Sequence, residues 1–417
     1  MNKIDDVFKV ARELPLNYIE RGHVDHKFIE ALTQDSHIVI HGSSKQGKTS
    51  LRKNNLQESD YIEIICSNNW TLKDIHERIL KKAGFDVLIS ETKTIKGTAK
   101  VSLKGNVPYL ATTGLDVTGE LAKQINKRNL EIDIEDVNDV IDALKQINFE
   151  RYIVIEDFHY LPEATQKDFS FALKAFHEQS KLCFIIVGVW LEDDRITNYN
   201  NDLDGRVRSI NADLWTPEDF ENLLYKSERL LNIYFHENFR SVIKNNCNGS
   251  IFLAQKLCWR VCSDNNIFVR SPALKTIGEN FNYQPIITEL LSDQNARYFK
   301  FLSDFSAGFD QTDLELYKWI LYGVLVVDKS VLEKGLPLAA LRREINKQHP
   351  KEVSQLKLQQ ALRKIVDLQA KIQVRPIVFE YDPNTRYIKI VDKSFLLWRE
   401  YQSRTELFEY ANLEDID

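Results

Sequence analysis

Residues 37–50 read HIVIHGSSKQGKTS, in which a short apolar strand runs directly into a GxxxxGKT loop. Gly42 and Gly47 let the backbone curve closely enough for successive N–H groups to point at phosphates. In this pattern Lys48 neutralises the β- and γ-phosphate oxygens, and Thr49 ligates Mg²⁺. The stretch therefore predicts a site for ATP and Mg²⁺, whose binding residues are Gly42, Ser43, Ser44, Lys45, Gln46, Gly47, Lys48, Thr49 and Ser50.

A phosphate loop of this kind works with an acid at the carboxyl end of a neighbouring strand, followed by a second acid that orients the attacking water. The apolar run at residues 152–155 ends in Glu156 and Asp157. Glu156 takes the metal-side position, so that Thr49 and Glu156 are the expected metal ligands. Asp157 takes the position of the base. The two acids are the first candidate catalytic residues.

Composition limits the possible partners and settings. The 417 residues are too many for one core and indicate two or three domains. With 55 basic and 61 acidic residues the net charge is −6, which excludes nucleic-acid or membrane binding by bulk charge. Five cysteines do not form a disulfide framework, and they favour a reducing, cytoplasmic setting. Since no run of about 18 apolar residues occurs, no membrane partner is expected.

Strand and helix signals alternate through the first half, which predicts an α/β fold with a parallel sheet. We expect a lead-in segment at 1–35, a nucleotide-binding domain at 36–212 with an inserted β-hairpin at about 94–120, and a helical lid at 213–270. Strands are expected to stop at Trp215, and residues 271–285 are expected to be a linker. The last domain, 286–417, is predicted to hold helices at 338–348 and 355–370 and strands at 372–381 and 386–391. That order is typical of a winged helix.

These motifs resemble those of the AAA+/STAND group of P-loop ATPases, in particular the archaeal-type and origin-recognition ATPases. The resemblance is carried by residues 42–49, by the strand ending in Glu156-Asp157-Phe158-His159-Tyr160-Leu161, and by Leu203-Asp204-Gly205-Arg206-Val207. It implies an ATPase in which Arg206 reaches a γ-phosphate, commonly that of a neighbouring subunit, and Arg206 is the third candidate catalytic residue. A surface salt bridge is the alternative role for Arg206.

The chain departs from this group at three places. The usual order of the two acids is aspartate then glutamate, whereas here Glu156 precedes Asp157, so that the base is one methylene shorter and slow hydrolysis is expected. The strand ending Val187-Gly188-Val189-Trp190 lacks the polar residue that senses the γ-phosphate. No arginine follows Asn248-Gly249-Ser250, where a sensor on the lid would stand.

Two functions follow from these features, and a third stays open. The first is an ATP-dependent conformational switch that self-associates and acts on a separate effector protein, which the resemblance places in antiviral defence or signalling. The second is an ATP-dependent initiator or loader that binds duplex DNA through 337–375, where nine basic residues stand against three acidic ones. Winged helices also serve as packing domains. The third is a P-loop scaffold without turnover.

Overall fold

The computed structural model describes residues 1–417 apart from 10–12, 96–97, 106–129, 214, 248, 310–313 and 414–417. A five-stranded parallel sheet forms the base of the molecule, in the order β2-β6-β7-β1-β8. Its strands are β1 (His37–His41), β2 (Tyr61–Ile65), β6 (Tyr152–Glu156), β7 (Phe184–Val187) and β8 (Val207–Asn211). Helix α1 (Ile4–Val7) packs against residues of the later helical part of the chain. The helices around the sheet are α2 (Gly22–Leu32), α3 (Lys48–Asn55), α4 (Leu72–Ala83), α5 (Val137–Gln146), α6 (Glu163–Gln179) and α7 (Arg195–Tyr199).

Buried apolar residues explain why the central strands lie inside the sheet. All residues of β1 and β7 are buried, as expected for parallel strands that are covered on both faces. The pairing of Ile40 with Val187 and of Ile155 with Ile186 aligns the carboxyl ends of β1, β6 and β7 at one edge. The α/β prediction is confirmed. The strand signals did not predict β8, in which only Ile210 is buried.

The inserted hairpin begins earlier than predicted. Strands β3 (Phe85–Ile95) and β4 (Thr98–Gly105) pair antiparallel, and β4 also pairs with β5 (Leu130–Asp133). The hairpin expected at about 94–120 therefore starts at Phe85, because Phe85 and Leu103 join the core between α4 and the sheet. Residues 106–120 of that prediction lie outside the described residues.

A helical unit, which we call the lid, follows the sheet and consists of α8 (Pro217–Leu231), α9 (Glu237–Asn246) and α10 (Ile251–Asp264). Helix α8 begins where predicted, because the Thr216 hydroxyl accepts the Asp219 N–H and the Asp219 carboxylate accepts the Thr216 N–H. The expectation that strands stop at Trp215 is wrong. Strands β9 (Ile233–Phe235) and β10 (Lys275–Ile277) pair in parallel, and β10 lies inside the predicted linker.

Residues 283–413 form the carboxyl-terminal unit. Its helices are α11 (Tyr283–Ser292), α12 (Asn295–Ala307), α13 (Leu316–Val326), α14 (Lys329–Lys334), α15 (Leu338–Gln348), α16 (Gln355–Leu362), α17 (Ile365–Lys371), α18 (Lys393–Glu400) and α19 (Arg404–Tyr410). A three-stranded antiparallel sheet holds β11 (Leu336–Pro337), β13 (Tyr387–Ile390) and β12 (Phe379–Asp382), in that order. The helix predicted at 355–370 is interrupted between α16 and α17, and the two predicted strands are shorter than expected.

The hydrophobic core connects the lid to the carboxyl-terminal unit more extensively than it connects the carboxyl-terminal unit to the base. One continuous cluster of buried residues runs from the lid, including Phe239 and Leu257, into the carboxyl-terminal unit, including Tyr298 and Phe395. Separate clusters cover the two faces of the base sheet. Between the base and the carboxyl-terminal unit, a small buried cluster holds Val189, Ile377 and Val391. The lid and the carboxyl-terminal unit therefore share a core that the base does not.

Candidate phosphate-binding site

The phosphate loop, residues 42–49, leaves the carboxyl end of β1 in a conformation that needs its glycines. Gly42 has φ 136° and Gly47 has φ 86°, both in the region that favours glycine. A Cβ on Gly42 would stand 2.8 Å from the Asp213 Oδ1. Gly47 is also the residue that precedes α3, so the loop delivers the first N–H groups of a helix to the mouth of the site.

Lys48 is folded back across the loop. Its Nζ donates to the carbonyl oxygens of Gly42 at 3.0 Å and Ser43 at 2.6 Å. Burial lowers the pKa of Lys48 to about 8, against the opposing effect of Asp213, Glu156 and Asp157. The ammonium group therefore has internal partners that an anion at the loop would replace.

Asp213 and Trp215, which follow β8, hold the loop from one side. The Asp213 carboxylate accepts the Ser43 backbone N–H at 2.7 Å and also the Ser43 hydroxyl. The Trp215 Nε1 donates to the Gln46 carbonyl oxygen at 3.3 Å, and the Arg21 guanidinium lies 4.1 Å from the Trp215 ring centre. Sequence reasoning missed both residues. Both residues directly follow the edge strand β8, and this position would have indicated a role at the loop only if β8 had been predicted.

Glu156 and Asp157 lie at the same edge of the sheet, as predicted, but Glu156 is already paired. Its Oε1 accepts from Nη2 of Arg52 at 3.0 Å and from Nε of Arg52 at 3.2 Å. Burial raises the pKa of Glu156 while Arg52 opposes the rise. Burial likewise raises the pKa of Asp157, against Arg375 and Lys48. No sequence pattern indicated the partnership of Glu156 with Arg52.

The pairing of Glu156 with Arg52 affects which residues can ligate the expected Mg²⁺. Thr49 lines the cavity at the loop and fits the role of a metal ligand. Glu156 does not fit that role, because its Oε1 is held by a buried guanidinium. Among the described residues, no group of three or more His, Cys, Asp and Glu side chains is placed to hold a metal ion.

A cavity of about 310 Å³ extends from the loop towards the lid. At the loop it is lined by Lys45, Gln46, Gly47, Lys48, Thr49 and Ser50, together with the two acids. Away from the loop it is lined by the mainly apolar residues Pro15, Tyr18, Ile19, Trp215, Leu223, Ile251 and Phe252, and also by Lys9, Glu13, Arg21 and Gln255. Gly42, Ser43 and Ser44, which were predicted to bind the nucleotide, are not among the residues that line it. The cavity thus has an anion-binding end and an end suited to a flat aromatic group.

The carboxyl-terminal unit touches the phosphate loop directly. The Ser44 backbone N–H donates to the Val391 carbonyl oxygen at 3.3 Å, and the Lys393 Nζ lies 3.9 Å from the Asp213 carboxylate. Nearby, the Leu191 N–H donates to Glu380 at 2.7 Å. We call these contacts, with the cluster of Val189, Ile377 and Val391, the base interface.

Arg206 is not brought to this site. It directly precedes β8, and its carbonyl oxygen accepts the N–H of His37, the first residue of β1. Arg206 therefore lies at the amino-terminal edge of the sheet, opposite the phosphate loop. Its guanidinium is 2.9 Å from the Glu178 carboxylate, as in the salt-bridge alternative.

Comparisons with known proteins give no family for the chain. No family model and no curated protein sequence matches it. A solved structure of a Walker-type ATPase of Pyrococcus abyssi is similar at 13% identity and a TM-score of 0.49, covering 94% of this chain and 99% of that one. Cdc6p of Pyrobaculum aerophilum is similar at 14% identity and a TM-score of 0.39, covering 98% of each chain.

The Orc1 protein of Aeropyrum pernix, solved in complex with DNA, is similar at 10% identity and a TM-score of 0.42, covering 94% of this chain and 93% of that one. These values assign no activity.

In the described residues, no helix is both long enough and apolar enough to span a membrane.

Proposed function

We propose that this chain is an ATP-binding P-loop protein of the AAA+/STAND type, in which nucleotide binding controls the docking of the carboxyl-terminal unit. The observation that carries the proposal is the bond from the Ser44 N–H to the Val391 carbonyl oxygen. This bond ties the phosphate loop to the carboxyl-terminal unit, so that a rearrangement of the loop on nucleotide binding would reach that unit directly.

The binding step uses groups of the loop itself. The N–H groups at the start of α3, from Gly47 to Thr49, would receive phosphate oxygens. The Lys48 ammonium would exchange the Gly42 and Ser43 carbonyl oxygens for those of a phosphate. A bound Mg²⁺ would neutralise further phosphate charge next to Thr49. The aromatic end of the cavity, with Trp215, would hold the adenine ring of ATP.

Hydrolysis would depend on Asp157, which stands next to the cavity with φ 59°. Its pKa is raised by burial, so that it accepts a proton from water more readily than an exposed aspartate. Arg375 and Lys48 are the cations whose charges act on this acid. We propose slow turnover, because Asp157 is one methylene shorter than the glutamate that usually takes this position.

Arg206 could complete such a site only in a neighbouring subunit, because it lies at the opposite edge of its own sheet. Self-association and a separate effector partner are thus part of the proposal. Antiviral defence or signalling stays a prediction from the resemblance alone.

The base interface is suited to opening. It combines three buried apolar residues with the Arg195–Glu380 ion pair at 3.3 Å, and charged groups regain hydration when they separate. The lid and the carboxyl-terminal unit share a continuous core, so that separation there would expose much more apolar surface. We propose that ATP opens the base interface and leaves the interface between the lid and the carboxyl-terminal unit intact.

Isothermal titration of the full chain with ATP tests the binding step, and small-angle scattering of the same samples tests the movement. We expect wild type to bind ATP and to expand on binding, while Lys48→Ala does neither. The matched control is Lys82→Ala, which removes an exposed lysine of α4. The proposal fails if wild type binds no ATP. The switch fails if ATP binds without a change in the scattering curve.

A DNA-binding initiator or loader is the second candidate. We propose the carboxyl-terminal unit as a winged helix, since from α14 to β13 it has the order helix, strand, helix, interrupted helix (α16 and α17), strand, strand. The observation that favours DNA is the exposed row of Lys357, Gln360, Arg363 and Lys364, which runs along α16 and just beyond it. Such a row suits phosphate contacts.

Charge reversal separates the two candidates. Duplex binding measured by fluorescence anisotropy should be lost in Arg363→Glu/Lys364→Glu and kept in the control Lys82→Glu/Lys145→Glu, if DNA is a partner. ATP affinity should be the same in all three proteins. Absence of duplex binding by wild type at low salt leaves the switch as the function.

A further inference from the structure

Arg52 is a buried cation that the phosphate-binding chemistry does not use. It lies on α3, three residues after Thr49, and is 0% exposed. Besides its two bonds to Glu156, its Nη2 donates to Oε1 of Glu63, and its guanidinium lies 4.5 Å from the Tyr61 ring centre. One guanidinium therefore joins the acid at the end of β6 to an acid of β2.

The two carboxylates that Arg52 holds belong to neighbouring strands. Glu63 pairs in register with Val154, two residues before Glu156. Arg52 thus closes the gap between α3 and two strands of the sheet, and the Tyr61 ring covers it. A side chain with this many contacts on three elements is fixed in place.

Such a cation alters what the neighbouring acid can bind. An arginine side chain stays protonated at all accessible pH values, so that it cannot yield its place to a metal by losing a proton. A divalent ion at Glu156 would lie next to this fixed positive charge and repel it. Breaking the pair instead would leave a buried guanidinium without its acid.

We propose that Arg52 replaces the metal contact at Glu156, so that ATP binds to this chain almost as well without Mg²⁺ as with it. The inference rests on the proposed ATP site and assigns Glu156 a positioning role at the end of β6. Arg52 provides the positive charge that a divalent ion provides at the equivalent acid of a metal-dependent site. Thr49 and the nucleotide itself then remain as the groups that contact Mg²⁺.

Isothermal titration of the full chain with ATP, once in EDTA and once in excess MgCl₂, tests the inference. We expect the two dissociation constants to differ by less than about fivefold, and we expect the same in Glu156→Gln. A tightening by Mg²⁺ of more than about fivefold in wild type would overturn the inference while leaving the ATP site intact. Absence of ATP binding in both buffers would instead overturn the proposed function, and the inference with it.

A second set of variants restores the metal contact. Arg52→Gln alone leaves the carboxylates of Glu156 and the partly exposed Glu63 side by side without their cation and is expected to lose stability, so Glu63→Gln is added to it. In Arg52→Gln/Glu63→Gln, Glu156 is free, and Mg²⁺ should tighten ATP binding by about tenfold. Glu63→Gln alone is the matched control and should behave as wild type. A double variant that folds, by circular dichroism, and stays insensitive to Mg²⁺ would also contradict the inference.

Discussion

The carboxyl-terminal unit makes two interfaces of different character. It meets the lid through a continuous apolar core that includes Phe239, Leu257 and Ile287. It meets the base through a small apolar cluster, the Arg195–Glu380 and Lys393–Asp213 ion pairs, the hydrogen bond from Leu191 to Glu380, and one backbone hydrogen bond to the phosphate loop. Apolar surface is costly to expose, whereas separated charges are rehydrated. The base interface is therefore the weaker of the two and lies next to the proposed nucleotide site, so it is the one that we expect to open.

The largest effect is expected from damage to the stronger interface. Ile287 of α11 is 0% exposed and lies beside Cys247 and Leu253 of the lid. Ile287→Ala leaves a cavity and should lower the free energy of unfolding by about 2–4 kcal/mol. Urea denaturation measures this loss. A change below about 0.5 kcal/mol would mean that the lid and the carboxyl-terminal unit do not fold as one body.

Removal of the Lys48 ammonium should weaken ATP binding by about 100-fold, or about 2.7 kcal/mol. The reason is the loss of the one cation of the phosphate loop that can turn from internal carbonyl oxygens to a phosphate. Lys48→Ala and Lys48→Met are compared with wild type by isothermal titration. Equal ATP affinities of the variants and wild type would show that Lys48 does not contact the bound nucleotide.

The titration of Lys48 should appear as a pH dependence of ATP affinity. Burial lowers its pKa to about 8 in the free protein, and a bound phosphate would raise the pKa again. Below pH 8 the ammonium is charged in both states, so that affinity is highest there. Above pH 8 binding must take up a proton, and affinity should fall by up to about tenfold per pH unit.

Lys48→Arg is the control for this pH dependence, since a guanidinium does not titrate in this range. Titrations between pH 7 and 9.5 should give a sloping line for wild type and a flat one for the variant. A flat line for wild type would show that the Lys48 pKa is the same in the free and bound protein.

Weakening the base interface should tighten ATP binding. Lys393 lies 3.9 Å from Asp213 at this interface. Lys393→Glu places like charges together, loosens docking and should tighten ATP binding by about threefold, because less docking free energy opposes the nucleotide. Lys300→Glu, on the exposed side of α12, is the control. Weaker ATP binding in Lys393→Glu would reverse the sign of the proposed coupling.

The smallest effect is expected at the far edge of the sheet. Arg206→Ala should change ATP affinity of the isolated chain by less than about twofold, because Arg206 pairs with Glu178 away from the loop. Analytical ultracentrifugation of the same variant with ATP tests whether Arg206 acts between subunits. A tenfold loss of ATP affinity in the isolated chain would show that Arg206 acts at the nucleotide site of its own chain.

Features encoded by neighbours in sequence could be predicted, and those that join distant segments could not. Pro217–Leu231 has the expected bounds because Thr216 and Asp219 cap it within one turn. The phosphate loop and the two acids are also local patterns. In contrast, Asp213 lies 170 residues from its partner Ser43, and Glu156 lies 104 residues from Arg52. Single residues of common types give no signal at such separations.

The same reason explains the errors at the sheet edges. Strand β8 has one buried residue in five, so that no apolar run marks it, and only its pairing with β1 defines it. Strand β11 has two residues and depends on β13. The contact between Ser44 and Val391 uses backbone atoms alone, and no side-chain pattern could have predicted it.

The release of the carboxyl-terminal unit by nucleotide is best tested by amide hydrogen exchange of the full chain with and without ATP. We expect ATP to slow exchange in residues 45–50 and to speed it in 377–393, and we expect neither change in Lys48→Ala. Slower exchange in 45–50 with no change in 377–393 would mean that nucleotide binds without releasing the carboxyl-terminal unit from the phosphate loop, and the proposed switch would be wrong.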